Sequence, residues 1–164
     1  MMEDNHALKL FAAQVLSIEV LGGSASRRDQ RYAYRGYSKR ELLVDCCGVV
    51  VEVLGKDNYT LFTIDDGTSV VQCVLWRPKE MGASFVRDPE RRNAFVGVET
   101  AVLSEVLQEQ YQSLSEKIVL SNLVRVQGKA HSFKGQIQIK CSSVRKSLSP
   151  FFLPPRCRAA LSLV

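Results

Sequence analysis

Histidine and tryptophan are scarce here, with two of the first and one of the second in 164 residues. No apolar run approaches the ~20 residues that a membrane-spanning helix needs, so an integral helical membrane protein is not expected. Met1 to Leu10 has no basic start leading into an apolar stretch, and no secretory leader is predicted. The five cysteines, Cys46, Cys47, Cys73, Cys141 and Cys157, are odd in number and contain no C-x-x-C pair. That argues against a disulfide framework and a zinc site and for a reducing compartment, intracellular or nuclear. Internal repeats, a P-loop, a dinucleotide fingerprint and Ser-His-Asp logic are all absent. Asp65 and Asp66 would point apart on a strand, and D-D-G-T is good turn chemistry. No catalytic residue, cofactor or metal ligand is predicted.

What is present reads as one globular domain: 46% hydrophobic and 24% charged residues in a chain long enough to bury its own core. The net charge is +5. Between positions 27 and 40, Arg27, Arg28, Arg31, Arg35, Lys39 and Arg40 face Asp29 alone, so this window carries as much charge as the whole chain's excess. Tyr32, Tyr34 and Tyr37 are threaded through it. A basic stretch with interleaved aromatics suits a nucleic-acid groove, and a solvated loop fits it equally well.

Leu8 to Leu21 is apolar and compatible with strand or helix, ending at Gly22-Gly23-Ser24. The basic segment reads as a loop. Leu42 to Leu54 is a long β-branched strand, with Gly48 as its expected bend or bulge. Tyr59 to Ile64 follows after the Gly55–Asn58 turn, and Asp65-Asp66-Gly67-Thr68 leads into Ser69 to Trp76. Arg77 to Asn93 is a polar excursion. From Val98 the period lengthens: Val98, Val102, Val106 or Leu107, Tyr111 and Leu114 predict an amphipathic helix. Strands over Ile118 to Ala130 and Gly135 to Ser142 close the pattern, joined around His131 to Lys134.

Three strands, a helix and two strands is the order of a five-stranded OB-fold barrel, all-β with one inserted helix. The expected organisation is an N-terminal extension over 1–41, the barrel over 42–145 and a short C-terminal helix within 146–164. Such barrels take ligands across their second and third strands and the adjoining loops. Val70, Gln72, Val74 and Trp76 are expected on the open face with Tyr59, Leu61 and Thr63, leaving Phe62, Ile64, Val71 and Leu75 for the core. Trp76 and Phe133 could stack on bases. Lys129, Lys134 and Lys140 would neutralise phosphates, and Arg77 and His131 complete the expected DNA-binding set.

Several runs carry a family resemblance. Tyr59 to Trp76 (YTLFTIDDGTSVVQCVLW), Tyr34-x-Gly36 before VDCCGVV, and Val124-Arg125-Val126-Gln127-Gly128 with Ser132-Phe133 are similar to the middle OB-fold subunit of the CST telomere-capping complex, the Stn family. The middle subunit of replication protein A shares the D-D-x-T element, the strand-end tryptophan and the Ser-Phe loop. The resemblance implies a non-enzymatic subunit that binds G-rich telomeric single-stranded DNA in the nucleus. It implies a small Ten-type OB partner, a large multi-OB subunit and contact with DNA polymerase α–primase for fill-in of the complementary strand. It also assigns the helix after the barrel, with Phe151, Phe152, Leu153, Leu161 and Leu163, to the small partner. Many family members continue into winged-helix domains, for which this chain has no room. A replication-protein-A-type subunit working genome-wide, and an OB adaptor without DNA contact, are the alternatives.

Overall fold

The computed structural model describes residues 7–22, 30–78 and 94–147, with side chains described from 102 onward in the last stretch. The long central segments are rich in β-branched residues, and these become the walls of a barrel. In chain order the elements are β1 (Leu8–Lys9), α1 (Ala12–Leu16), β2 (Glu19–Leu21), β3 (Arg31–Tyr34), β4 (Tyr37–Lys39), β5 (Leu43–Gly55), β6 (Tyr59–Asp65), β7 (Val70–Trp76), α2 (Ala94–Ser115), β8 (Leu123–Phe133) and β9 (Gln136–Lys146).

One sheet runs β1-β5-β6-β7-β9-β8, and β5 also pairs with β8, which closes β5 to β9 into a five-stranded barrel. α2 follows the third barrel strand, as the OB-fold order requires. β5 serves two neighbours: Leu43 to Val49 pair with β8, while Val49 to Gly55 pair with β6. The ladder to β6 shifts between Val50 and Glu52, so the irregularity lies beyond Gly48, where a bend was expected. Gly48 has another purpose, because a Cβ there would come within 2.8 Å of the Asp65 carbonyl oxygen. At the second ladder shift, between Gln127 and Gly128, a Cβ on Gly128 would overlap the Lys140 carbonyl.

The core gathers Val44, Cys46, Val50, Phe62, Ile64, Val71, Cys73, Leu75, Val124, Val126, Ile139 and Val144 from the barrel strands. The expected inward set of Phe62, Ile64, Val71 and Leu75 is there. Residues expected to form an extension enter the same core: Leu10, Ala12, Val15, Ile18 and Tyr32. β1 lies parallel to β5, and α1 packs near β7 and β9. Asp66 holds it there. Its buried carboxylate accepts the Ala12 N–H at 2.7 Å and the Thr68 N–H and hydroxyl at 2.9 and 2.6 Å. The expected turn chemistry of D-D-G-T therefore also anchors a segment 54 residues upstream.

Several expectations are corrected. Residues 31–39 of the basic segment form the β3–β4 hairpin rather than a loop. Its two-residue turn, Arg35-Gly36, has φ of 46° and 85°, as a type I′ turn demands. β8 begins at Leu123, because 118–122 is taken up by turns after α2, and it runs on through Phe133. His131 and Phe133 are thus strand residues, and the turn is Lys134-Gly135 alone, again with both φ positive. α2 starts at Ala94 and buries Tyr111, with Leu114 packed on the core, but Val102 and Val106 are exposed. The polar excursion beyond Pro78, and the expected C-terminal helix with Phe151, Phe152, Leu153, Leu161 and Leu163, lie outside the described residues. Among the described residues no helix is long and apolar enough to cross a membrane.

Candidate nucleic-acid interface

Alternation along a strand sends every second side chain to the outer face, and register decides which of them meet. On β6 these are Tyr59, Leu61 and Thr63; on β7 they are Val70, Gln72, Val74 and Trp76, with Tyr59 opposite Trp76, Leu61 opposite Val74 and Thr63 opposite Gln72. β9 runs parallel to β7 and puts Lys140 beside Val74. The Gln138 side-chain amide donates to the Gln72 side-chain oxygen. β8 adds Lys129, His131 and Phe133, opposite Lys140, Gln138 and Gln136. Seven of the nine residues expected to bind DNA therefore fall on one outward face.

Val74 departs from expectation in one respect. Its direction is outward, yet it is only 5% exposed and lies outside the core cluster, between the longer side chains of Leu61 and Lys140.

At the Val70 end of this face lies a groove of about 720 Å³. Thr63, Val70 and Gln72 form its floor, Gln136 and Ile137 one side, and Leu16, Ile18 and Val20 of the N-terminal segment another. Glu52 also lines it and accepts the Thr63 hydroxyl at 3.1 Å. An acid there disfavours anionic groups at the groove's floor.

The aromatics stand at opposite ends. Trp76 is 51% exposed at the end of β7, its ring 5.1 Å from that of Tyr59 and tilted by 50°. Phe133 is 46% exposed beside the β8–β9 turn, with the Lys134 ammonium 5.5 Å from its ring centre. Gln136, the partner of Phe133, follows the register toward Val70, six residues from Trp76 or about 20 Å along a strand. Neither ring lines the groove: Phe133 lies beside it as the partner of Gln136, and Trp76 stands at the far end of β7.

The cations are less uniform. Lys140 is exposed, while Lys129 meets the Glu41 carboxylate at 2.6 Å. Arg77, expected in the groove, has its guanidinium 5.2 Å from the ring centre of Tyr111 on α2. That ring stacking turns it toward the helix.

A second polar cluster lies apart from the groove. Asp45, 6% exposed, takes hydrogen bonds from the Arg125 guanidinium and from Gln127 at 3.0 Å. Burial pushes its carboxyl up, but the Arg125 and Gln127 bonds outweigh that and hold it below the ordinary 3.8. Burial also pushes the Cys46 thiol up to about 12 and raises Cys47 and Cys73. Thiols so protonated behave as small apolar groups rather than nucleophiles. Among the described residues no group of three or more His, Cys, Asp or Glu could hold a metal ion.

Sequence reasoning missed Gln138 and the groove wall formed by Leu16, Ile18 and Val20. The I-Q-I-K alternation in β9 carries the signal for Gln138; nothing local marks the wall, because it arises from residues far along the chain from the strands it faces.

Comparison with known proteins accords with this geometry. The family model for an OB-fold nucleic acid binding domain matches residues 44–146. The chain is 24% identical over 121 residues to the cattle (Bos taurus) CST complex subunit STN1, covering 73% of this chain and 31% of that protein. It is 26% identical over 113 residues to the mouse (Mus musculus) subunit, covering 69% and 29%. The chain thus spans about a third of the length of the curated relatives it matches. Among solved structures, the S. pombe Stn1–Ten1 complex is similar with a TM-score of 0.54 and 15% identity, over 93% of this chain and 85% of that one. A replication protein A heterotrimer bound to single-stranded DNA is similar with a TM-score of 0.52 and 16% identity, over 92% of each chain.

Proposed function

Because this chain belongs to the family of OB-fold nucleic acid binding domains, we propose that it is the middle subunit of a CST-type telomere-capping heterotrimer, binding single-stranded, G-rich telomeric DNA through the β6–β7–β9 face. It is a binding subunit and not an enzyme; Asp65 and Asp66 are spent on turn and anchoring hydrogen bonds. The observation that carries the reading is the pair of half-exposed rings, Trp76 and Phe133, at opposite ends of one outward strand face. Bases stack on such rings whatever their identity, and Lys134 and Lys140 offer charge to the phosphates between them.

The telomeric assignment rests on the curated relatives, each a CST complex subunit STN1. A small Ten-type OB subunit, a large multi-OB subunit and DNA polymerase α–primase are the proposed partners, and the nucleus and chromosome ends the proposed location. Phe151, Phe152, Leu153, Leu161 and Leu163 are proposed to meet the small subunit.

The test is fluorescence anisotropy with a G-rich single strand, for the full chain alone and with the partners it retains in a pull-down. Stacking is worth about 1–3 kcal/mol per base, so Trp76→Ala with Phe133→Ala weakens affinity at least roughly tenfold. Unchanged affinity in the assembled complex would overturn the DNA reading and leave an adaptor. A replication-protein-A-type subunit is the second reading, because that heterotrimer's chain shares the fold at nearly the same TM-score, 0.52 against 0.54. Recovery of a replication protein A large subunit would select it.

A further inference from the structure

Four polar side chains line up across the outward face. Register sets Glu52 of β5 opposite Thr63 of β6, and Thr63 opposite Gln72 of β7. Gln138 of β9 completes the row through its bond to the Gln72 oxygen. Glu52, Thr63 and Gln72 all line the groove, and among the described residues that do so Glu52 is the one that carries a charge. Leu16, Ile18 and Val20 supply an apolar wall beside them.

The bonds within the row are polarised. The Thr63 hydroxyl donates to one Glu52 carboxylate oxygen at 3.1 Å, which leaves the second oxygen open. The Gln72 oxygen is taken by Gln138, so the Gln72 amide keeps its two N–H donors for a ligand. Across the groove the row therefore runs from acceptors at Glu52 to donors at Gln72. Neighbouring strands lie about 4.8 Å apart, and the short Thr63 between two longer side chains leaves room for the edge of one flat ring.

An acid here repels phosphate, so a single strand that enters the groove does so base first. The Watson–Crick edge of guanine carries two adjacent donors, N1–H and the N2 amine, followed by the O6 acceptor. Adenine and cytosine set one donor group beside an acceptor, and thymine sets one donor between two acceptors. Of the four bases, guanine alone matches a carboxylate in two-point contact with an amide donor next to it. We infer that the Glu52–Thr63–Gln72 row reads guanine: the Glu52 carboxylate accepts from N1–H and the N2 amine, and the Gln72 amide donates to O6. The wall of Leu16, Ile18 and Val20 packs on the face of the ring. The inference rests on the strand-binding reading above and supplies a base preference, which stacking on Trp76 and Phe133 does not give.

The experiment is an anisotropy titration of the full chain, alone and with the partners it retains, against three single strands of about 12 nucleotides. One alternates guanine with thymine, one alternates hypoxanthine with thymine, and one is thymine throughout. Hypoxanthine lacks only the N2 amine of guanine, and the alternation avoids runs of guanine. The wild type should bind the guanine strand at least roughly fivefold more tightly than the hypoxanthine strand, the loss expected for one hydrogen bond to a charged group. Glu52→Gln, at an exposed position and still able to accept the Thr63 hydroxyl, should bring that ratio below about twofold. Its affinity for the thymine strand should be unchanged or higher. Equal wild-type affinities for the guanine and hypoxanthine strands, or a ratio that Glu52→Gln leaves unchanged, would overturn this inference and leave the strand-binding reading standing. So would an equal loss on all three strands in Glu52→Gln, the result of a purely structural role. No binding of any strand, alone or assembled, would overturn the strand-binding reading and this inference with it.

Discussion

Asp45 shows how one residue's chemistry becomes a property of the fold. It is buried on β5 and bonded across the ladder to Arg125 and Gln127 of β8, so it joins the two strands that close the barrel. Its carboxyl is held below 3.8, which means the folded state prefers the ionised form. The associated stability is fully present above the unfolded value near 3.8 and is lost as pH falls through the lower folded value. Thermal midpoints should therefore be flat from neutral pH to about 4 and drop below it. Arg125→Met should lower the midpoint at pH 7 and reduce that acid-limb drop, measured by circular dichroism melts at a series of pH values. An acid limb unchanged by Arg125→Met would remove Asp45 as its cause. Residue identity alone gave no sign of this pair: Asp45 in a V-D-C-C run reads as an ordinary strand polar, and its partner lies 80 positions away.

At the scale of elements, most of the barrel was readable because period and turn chemistry agreed with the final fold. β6 and β7 begin and end within a residue of where Tyr59-to-Ile64 and Ser69-to-Trp76 put them, since D-D-G-T is an unambiguous turn. The outward positions of Trp76 and Gln72 followed from alternation once those strands were fixed, whereas Phe133 was read as a loop residue and its strand position was not. β3 and β4 were not readable. Their seven strand residues include two cations and three tyrosines whose burial differs, with Arg35 in the turn and Arg40 just beyond, so charge masked the alternation that the Arg35-Gly36 turn makes possible. α2 was half readable: Tyr111 and Leu114 of its expected stripe meet the core, whereas Val102 and Val106 are exposed, and a stripe does not say what will cover it. Gly128 offers the sharpest element-level test. A methyl there would meet the Lys140 backbone at the β8–β9 shift, and backbone in a paired strand cannot swing aside. Gly128→Ala should cost about 3 kcal/mol, read from urea melts. A loss under about 0.5 kcal/mol would mean that the ladder can open at its bulge.

At the scale of the whole molecule, the barrel is not self-sufficient. Leu10, Val15 and Ile18 are buried against it, each contributing about 2 kcal/mol by burial, so their sum rivals the 5–15 kcal/mol that a domain of this size commonly has. A chain beginning at Glu41 should show no cooperative thermal transition, or one lowered by tens of degrees in differential scanning calorimetry. A near-native melt of that truncated chain would mean the N-terminal segment only decorates the barrel. The same segment forms one wall of the groove through Leu16, Ile18 and Val20, so whatever ligand occupies the groove also draws on it.

The bond from Ala12 to Asp66 has a consequence in time as well as space. The donor leaves the ribosome 54 residues before its acceptor, and at about 5–20 residues per second the wait is about 3–10 s. Through that interval Leu10, Val15 and Ile18 have no barrel to enter, and they remain a chaperone's substrate until the β6–β7 turn is made. A nascent chain of this protein is therefore most vulnerable over residues 10–18, and that segment is rescued by a carboxylate at the β6–β7 turn.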